Sequence, residues 1–205
     1  MDKTIPEIIV GRLPVYLQAL EHMQAQGVQT TSSQELGEMI GISAAQIRKD
    51  LSQFGEFGKQ GKGYTITYLV GQLRTILNVE DVWDMALVGA GNLGTAIAHY
   101  QDFKLHGFHV AMIFDNDPQR VGSQLGDYTI CSTAGMVEKI QASGIKIAMM
   151  TVPARAAQAV ADDLVKAGIK AILNYAPITL NVPADVHVQY VDPIIFLQRM
   201  TYFLK

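Results

Sequence analysis

Gly89-Ala90-Gly91-Asn92-Leu93-Gly94 sets three glycines at G-x-G-x-x-G spacing, directly after the apolar run Met85 to Val88 and directly before Thr95-Ala96-Ile97-Ala98. In a strand-to-helix turn the first glycine permits the tight bend, the second lets backbone approach a pyrophosphate, and the third lets the helix pack close. N–H groups at the helix start then meet phosphate charge. Asp115 ends the next apolar run, Val110 to Phe114, and follows Gly94 by 21 residues. A carboxylate there accepts both hydroxyls of an adenosine ribose and repels a 2′-phosphate. With Asn116 beside it rather than an arginine, the chemistry favours NAD(H) over NADP(H), and Arg120 reads as a surface residue that would weaken this preference if it swung toward Asp115.

Two further strand ends, Thr151-Val152-Pro153 and Asn174-Tyr175-Ala176-Pro177, belong on the same edge of a parallel sheet and are candidates for the nicotinamide side. Neither offers histidine, lysine or cysteine, and Tyr100, Tyr175 and Arg155 are the only candidates for proton transfer or substrate anchoring. Hydride transfer to a polar substrate needs both, so the residues point to nucleotide binding without catalysis.

A second set of residues lies upstream. Ser32 and Glu35 stand at capping-box spacing, as do Ser43 and Gln46, and Gly41-Ile42-Ser43 turns one short helix into the next. In the second helix Ile47, Leu51 and Phe54 line one face, leaving Gln46, Arg48, Lys49, Ser52 and Gln53 on the other. Such a helix-turn-helix meets base edges with its first turn, here Ser43, Ala44, Ala45 and Gln46. A glycine-rich stretch with Lys59, Gly61 and Lys62 follows, then Tyr64 to Tyr68, which read as a strand; together they make a wing. Residues 43–75 hold five Lys and Arg against two Asp and Glu, a net +3, whereas residues 81–205 carry a net −2. The positive charge sits where a polyanion would bind, with Lys49, Lys59 and Lys62 for phosphate contacts.

The elements that must hold these residues follow from periodicity. Ile5 to Met23 repeat at helical spacing, interrupted by Pro14, which predicts two helical pieces or a kink. A helix with Leu69, Leu73, Ile76 and Leu77 leads to a boundary at Glu80-Asp81. Beyond it, strands at Met85 to Val88, Val110 to Phe114, Ile147 to Val152, Ala171 to Asn174 and Val186 to Val191 alternate with helices at Asn92 to Phe103, Thr133 to Ser143 and Arg155 to Gly168. The expected fold class is α/β: a winged helix-turn-helix domain over residues 1–80, then a Rossmann-type doubly wound parallel sheet over 81–192. A final helix, Pro193 to Leu204, carries Ile194, Ile195, Leu197, Met200, Phe203 and Leu204 and must cover something, either its own sheet or another chain.

The 205 residues are 49% hydrophobic and 17% charged, enough to bury a core in each of two units. No apolar run approaches the about 18 residues of a membrane span, and the N-terminus lacks a signal-peptide pattern, so a cytoplasmic location is expected. Cys131 is the single cysteine, and the five histidines lie without ligand spacing, so neither a disulfide nor a metal site is expected.

Taken together, these residues resemble Rex, the redox-sensing transcriptional repressor family, along essentially the whole chain. The resemblance is carried by Gly11-Arg12-Leu13-Pro14 with Tyr16, Thr31-Ser32-Ser33, Ile47-Arg48-Lys49-Asp50-Leu51-Ser52, and Gly55 with Gly58 and Gly61-Lys62-Gly63-Tyr64. It continues in Val88 to Gly94, Phe114-Asp115, Thr151 to Pro153, Asn174 to Pro177 and Val191-Asp192; Tyr175 stands where many relatives have phenylalanine. The resemblance implies a homodimer that binds an inverted-repeat operator DNA, NAD⁺ permitting binding and NADH favouring release. It implies that the helix over 193–205 is swapped onto the partner, that Arg12 and Asp192 form a pair bridging subunits, and that Tyr100 lies near the nicotinamide. Rival readings are a small NAD-dependent oxidoreductase with a DNA-binding appendage, a repressor sensing CoA or another nucleotide, and a helix-turn-helix used for protein contact.

Overall fold

A computed structural model describes residues 5–58 and 63–204 of the chain. The chain divides into two compact units, Met1–Asp81 and Val82–Lys205.

In the first unit, α1 (Glu7–Val10) and α2 (Leu13–Ala25) are separate helices, broken at Gly11-Arg12. Pro14 falls in the first turn of α2, where its missing N–H costs nothing, so the proline starts a helix rather than kinking one. Leu13, Tyr16, Leu17, Leu20 and Met23 bury one face of α2. After the short strand β1 (Thr30–Thr31), α3 (Ser33–Ile40) opens with the expected reciprocal capping box of Ser32 and Glu35. Gly41 closes it at φ 71°, a left-handed cap that turns the chain into α4 (Ala44–Leu51). The second capping box forms only by half: Ser43 Oγ accepts the Gln46 N–H, but the Gln46 side chain turns to Asp50 instead.

The strand expected over Tyr64 to Tyr68 is reduced to β2 (Tyr64–Thr65), paired antiparallel with β1 through Thr30 with Thr65 and Thr31 with Tyr64. At Ile66 the chain enters α5 (Ile66–Ile76). Tyr-Thr-Ile-Thr-Tyr alternates like a strand, yet Ile66, Leu69, Val70 and Leu73 recur at helical spacing and are all buried, and that burial decides the conformation.

In the second unit, β3 (Trp83–Val88) leads through the glycine turn to α6 (Asn92–Ala98), which is shorter than the sequence suggests because a 3₁₀ turn, Gln101–His106, replaces its expected last turn. β4 (Phe108–Asp115) follows, then a hairpin of β5 (Gln124–Leu125) and β6 (Tyr128–Thr129), the two-residue strand β7 (Cys131–Ser132), and α7 (Met136–Ser143). β8 (Ile147–Met150), α8 (Ala154–Lys166), β9 (Ala171–Asn174), β10 (His187–Tyr190) and α9 (Pro193–Thr201) complete the chain, the last extended by a 3₁₀ turn over Tyr202–Leu204. The main sheet is parallel throughout in the order β10-β9-β8-β3-β4-β7. Numbered from β3, this is the 3-2-1-4-5-6 order of the doubly wound dinucleotide fold, read from the β7 edge.

Successive side chains of β3 feed opposite faces of the sheet, as the two-residue period requires. Ala86 and Val88 join Phe114, Met136, Ile140, Ala148, Met150 and the α8 residues Ala157, Ala161 and Leu164; Met85 and Leu87 join Ile97, Val110, Ile113 and Met149. The strand order reverses between β3 and β8. Ligands of such sheets bind in the crevice beyond the strands' carboxyl ends at this switch point. Among the described residues, no helix is long and apolar enough to cross a membrane.

Candidate functional site

A cleft of about 960 Å³ opens at the switch point. Gly89, Gly91 and Leu93 of the glycine turn, Asp115 at the end of β4, Thr151, Val152 and Pro153 after β8, and Tyr175 after β9 all line it. Four segments singled out from sequence therefore converge on one crevice.

The three glycines differ in what they do for the chain itself. Gly89 has φ 101°, and a Cβ there would stand 2.8 Å from the Thr151 carbonyl oxygen. A Cβ at Gly94 would stand 1.8 Å from the Gly89 carbonyl oxygen, so only hydrogen fits where α6 packs on the turn. Thr151 clamps the same turn, its N–H on the Val88 carbonyl at 2.9 Å and its hydroxyl on that of Gly89 at 2.7 Å. Gly91 is different: a Cβ there meets nothing within 4 Å. The fold does not require this glycine, whereas a phosphate group drawn against the backbone at the start of α6 would.

Asp115 is buried and tied into that turn. Its Oδ2 accepts the Ala90 N–H at 2.6 Å and its Oδ1 the Asp117 N–H at 2.8 Å. Burial alone would raise its pKa; the two N–H donors and Arg120 outweigh burial and hold it below the usual carboxylate value. Arg120 is turned toward Asp115, the alternative that the sequence reading left open. It lines the cleft, 3.4 Å from Asp115 and 3.7 Å from Asp117. Shared between two carboxylates, its charge leaves the trio net negative, so its approach to Asp115 would not by itself reverse a preference for ribose hydroxyls over a 2′-phosphate.

Asn174 does not line the cleft. It is buried, its amide nitrogen donating to the Ala176 and Ile178 carbonyls and its oxygen accepting the Ala176 N–H, and so shapes the loop that presents Tyr175. Ala176 and Pro177 continue that loop, while Ala90, Asn92 and Gly94 build the glycine turn. The phenol of Tyr175 is half-buried, which raises its pKa. Tyr100 sits apart, in a cavity of about 380 Å³ with His99, Lys104, Phe108 and Tyr128, its ring edge-on to Phe103 at 5.0 Å. Thr133, Ala134 and Met136 also line the cleft and were not singled out for it, and Arg155, named above as an anchoring candidate, lines it too. The first three follow β7, a strand of two residues that carries no readable period.

In the first unit Ser43, Ala45, Arg48, Lys49 and Ser52 are exposed on α4 and the turns flanking it, with Ala44, Gln46, Gln53 and Tyr64 half-buried. Arg48 donates to Ser33 Oγ at 2.9 Å, which ties α4 to α3, and Ser52 and Gln53 both bond the Lys49 carbonyl. Lys59, Gly61 and Lys62 lie outside the described residues.

The residue that sequence reasoning missed is Asp50, fully buried at the root of α4. Arg12 grips it with Nε on Oδ2 at 2.6 Å and Nη2 on Oδ1 at 2.8 Å; Tyr16 donates to Oδ2 at 2.6 Å and Gln46 Nε2 to Oδ1 at 2.7 Å. Burial pushes the Asp50 carboxyl up, but these donors together hold it below its ordinary value. Burial and Asp50 push the Tyr16 phenol up to about 12. The signal was present: residues 47, 50, 51 and 54 share one helix face, and a carboxylate among Ile47, Leu51 and Phe54 must be paired. Arg12 is thus engaged by Asp50 within its own unit, and Asp192 caps α9, its Oδ1 accepting the Ile194 N–H at 2.9 Å.

Comparison with known proteins agrees with both halves. A family model described as "Putative DNA-binding protein N-terminus" matches residues 4–52, and one described as "CoA binding domain" matches residues 80–178. The redox-sensing transcriptional repressor Rex of Chloroflexus aurantiacus is 50% identical over 97% of this chain and 94% of its own, and that of Brevibacillus brevis 45% identical over 98% and 97%. Among solved structures, RSP in complex with β-NADH superposes at TM-score 0.90 with 36% identity, covering 99% of this chain and 95% of that one. RSP in complex with β-NAD⁺ and operator DNA superposes at 0.92 with 38% identity, covering 99% and 94%. With full-length likeness at this identity, the chain belongs to the Rex family of redox-sensing transcriptional repressors.

Proposed function

We propose that this chain represses transcription from an operator and releases it when NADH replaces NAD⁺, so that expression follows the ratio of the two. The observation that carries the reading is Gly91, a glycine the fold itself does not need, opposite a buried, ionised Asp115, in the same chain as a helix-turn-helix with Arg48 and Lys49 exposed. The glycine turn would hold the pyrophosphate and Asp115 the adenosine ribose. Thr151, Val152, Pro153 and Tyr175 would face the nicotinamide, which is cationic in NAD⁺ and neutral in NADH. The two forms shift the DNA-binding equilibrium only by binding its two states unequally, and a hundredfold change in operator affinity needs about 2.7 kcal/mol of such coupling. CoA fits less well, because its adenosine carries a 3′-phosphate in place of one of the two ribose hydroxyls that Asp115 would accept from.

The working form is a homodimer in the cytoplasm on an inverted-repeat operator, with no turnover and no metal. Its parts are a DNA-binding domain over residues 1–80, a dinucleotide domain over 81–192 and a helix over 193–205 that docks on the partner. The apolar face of that helix supports the last point: Ile194, Ile195, Phe196, Leu197 and Met200 are all exposed, and Phe203 and Leu204 are 74% and 82% exposed. Arg12 and Asp192 remain candidates for an inter-subunit pair, which would have to draw on Arg12 donors that Asp50 leaves unused. Tyr100 remains a candidate for responding to ligand state. Fluorescence anisotropy of a labelled palindromic operator tests the function: NADH should release the protein and NAD⁺ should not. Equal binding in both forms refutes it.

A further inference from the structure

Gln46 is the third residue of α4, in the turn that a recognition helix directs at base edges. Its neighbours there cannot discriminate bases by paired hydrogen bonds. Ala44 and Ala45 have no polar side-chain atoms, and the Ser43 hydroxyl accepts the Gln46 N–H at 3.3 Å. Gln46 brings an amide, and one end of that amide is already fixed. Its Nε2 donates to Asp50 Oδ1 at 2.7 Å, and an ionised carboxylate has only acceptors, so the NH₂ and not the carbonyl must face it. Asp50 is itself immobilised by two bonds from Arg12, the N-cap of α2, and one from Tyr16 on α2. The amide plane of Gln46 is therefore set by the core of the domain and not by its own helix alone.

One N–H and the carbonyl oxygen of that amide remain. Among the described residues no hydrogen bond engages that oxygen, and no side-chain nitrogen or oxygen is both buried and without a partner, so the oxygen is not sealed from solvent. A donor and an acceptor side by side in one plane complement the major-groove edge of adenine, whose N7 accepts and whose N6 amino group donates. Guanine presents two acceptors there, and thymine and cytosine one hydrogen-bonding group each. Lys49, by contrast, has charge but no fixed plane and suits phosphate.

We infer that Gln46 reads one adenine in each operator half-site, with its amide held for that task by Asp50 as a positioning residue. This rests on the DNA-binding reading above and assigns it a base. The test is selection from a duplex library with randomised half-sites, using the full-length protein, Gln46→Ala and Asp50→Asn. The wild type should select adenine at one position per half-site. Gln46→Ala should lose that preference by about 5- to 150-fold, the range a bidentate pair supplies, while keeping the preferences at other positions. Asp50→Asn, which lets the amide turn either end inward, should blunt the same position selectively; a domain that is merely loosened would blunt all positions together. A Gln46→Ala motif identical to wild type overturns the base assignment whether or not Asp50→Asn folds, and an unchanged Asp50→Asn motif overturns the positioning role. A wild-type protein that selects no motif overturns the repressor reading itself.

Discussion

Replacing Gly91 with valine separates what the fold needs from what the ligand needs. The backbone there has φ −71° and ψ −168°, an extended conformation that a β-branched residue adopts freely, and a Cβ meets no atom within 4 Å. Losing glycine at a helix N-cap costs up to about 1 kcal/mol, and restricting the unfolded chain returns about 0.4–1 kcal/mol, so stability should stay within about 1 kcal/mol of wild type. The ligand has no such freedom. A side chain standing over the turn holds a pyrophosphate away from the α6 N–H groups, and losing two charge-assisted hydrogen bonds of about 1.5–3 kcal/mol each weakens binding by about 10²- to 10⁴-fold. Gly94→Ala should do the reverse damage: its Cβ would lie 1.8 Å from the Gly89 carbonyl oxygen, so the second unit should lose more than about 3 kcal/mol of stability. Calorimetric titration with NADH beside thermal denaturation reads both effects. If Gly91→Val binds NADH like wild type, the pyrophosphate does not lie against this turn and the assignment of the cleft is refuted.

Asp115→Ala frees Arg120 of one carboxylate, and the ratio of NADPH to NADH affinity should rise by at least about tenfold in paired titrations; an unchanged ratio means that Asp115 does not face the ribose. Lys49→Ala should weaken operator and random duplex alike and reduce the slope of log K against log salt by about 0.9, and a loss confined to the operator would contradict its phosphate role. Because the folded pKa of Tyr16 is raised, its contribution is complete below the unfolded value of about 10 and disappears as pH rises through about 12. The depressed Asp50 works with opposite sign: its contribution is present above the ordinary carboxylate range and is lost as pH falls through its lowered folded value. Urea melts of the wild type should thus weaken at both extremes, and Tyr16→Phe should flatten the alkaline limb; a limb of the same steepness would show that Tyr16 does not cause it.

Much of the α/β half is legible because its strands are continuous apolar runs and its turns carry glycine at positions with a steric reason. Gly89 and Gly94 can be read from spacing alone, and Asp115 from its distance to them. The two-residue strands β5, β6 and β7 escape, since neither a period nor a composition signals a ladder so short. Tyr64 to Tyr68 mislead because local β-propensity opposes the wider helical period, and burial of Ile66, Leu69 and Leu73 wins. Arg120 is legible only as an alternative: whether it turns toward Asp115 depends on how the loop after β4 folds back, which no spacing encodes. Asp50 is the opposite case, a carboxylate on a core face that the sequence displays plainly, and its partners Arg12 and Tyr16, 38 and 34 residues away, become evident only when α2 and α4 are in place.

The central claim is that reduced dinucleotide and operator oppose each other through one equilibrium, and linkage makes this measurable from the side that DNA binding does not report. The affinity for NADH should fall in the presence of saturating operator by the same factor by which NADH weakens operator binding, about a hundredfold for about 2.7 kcal/mol of coupling. An NADH affinity identical with and without operator, measured by calorimetry on the same preparation, would contradict the account.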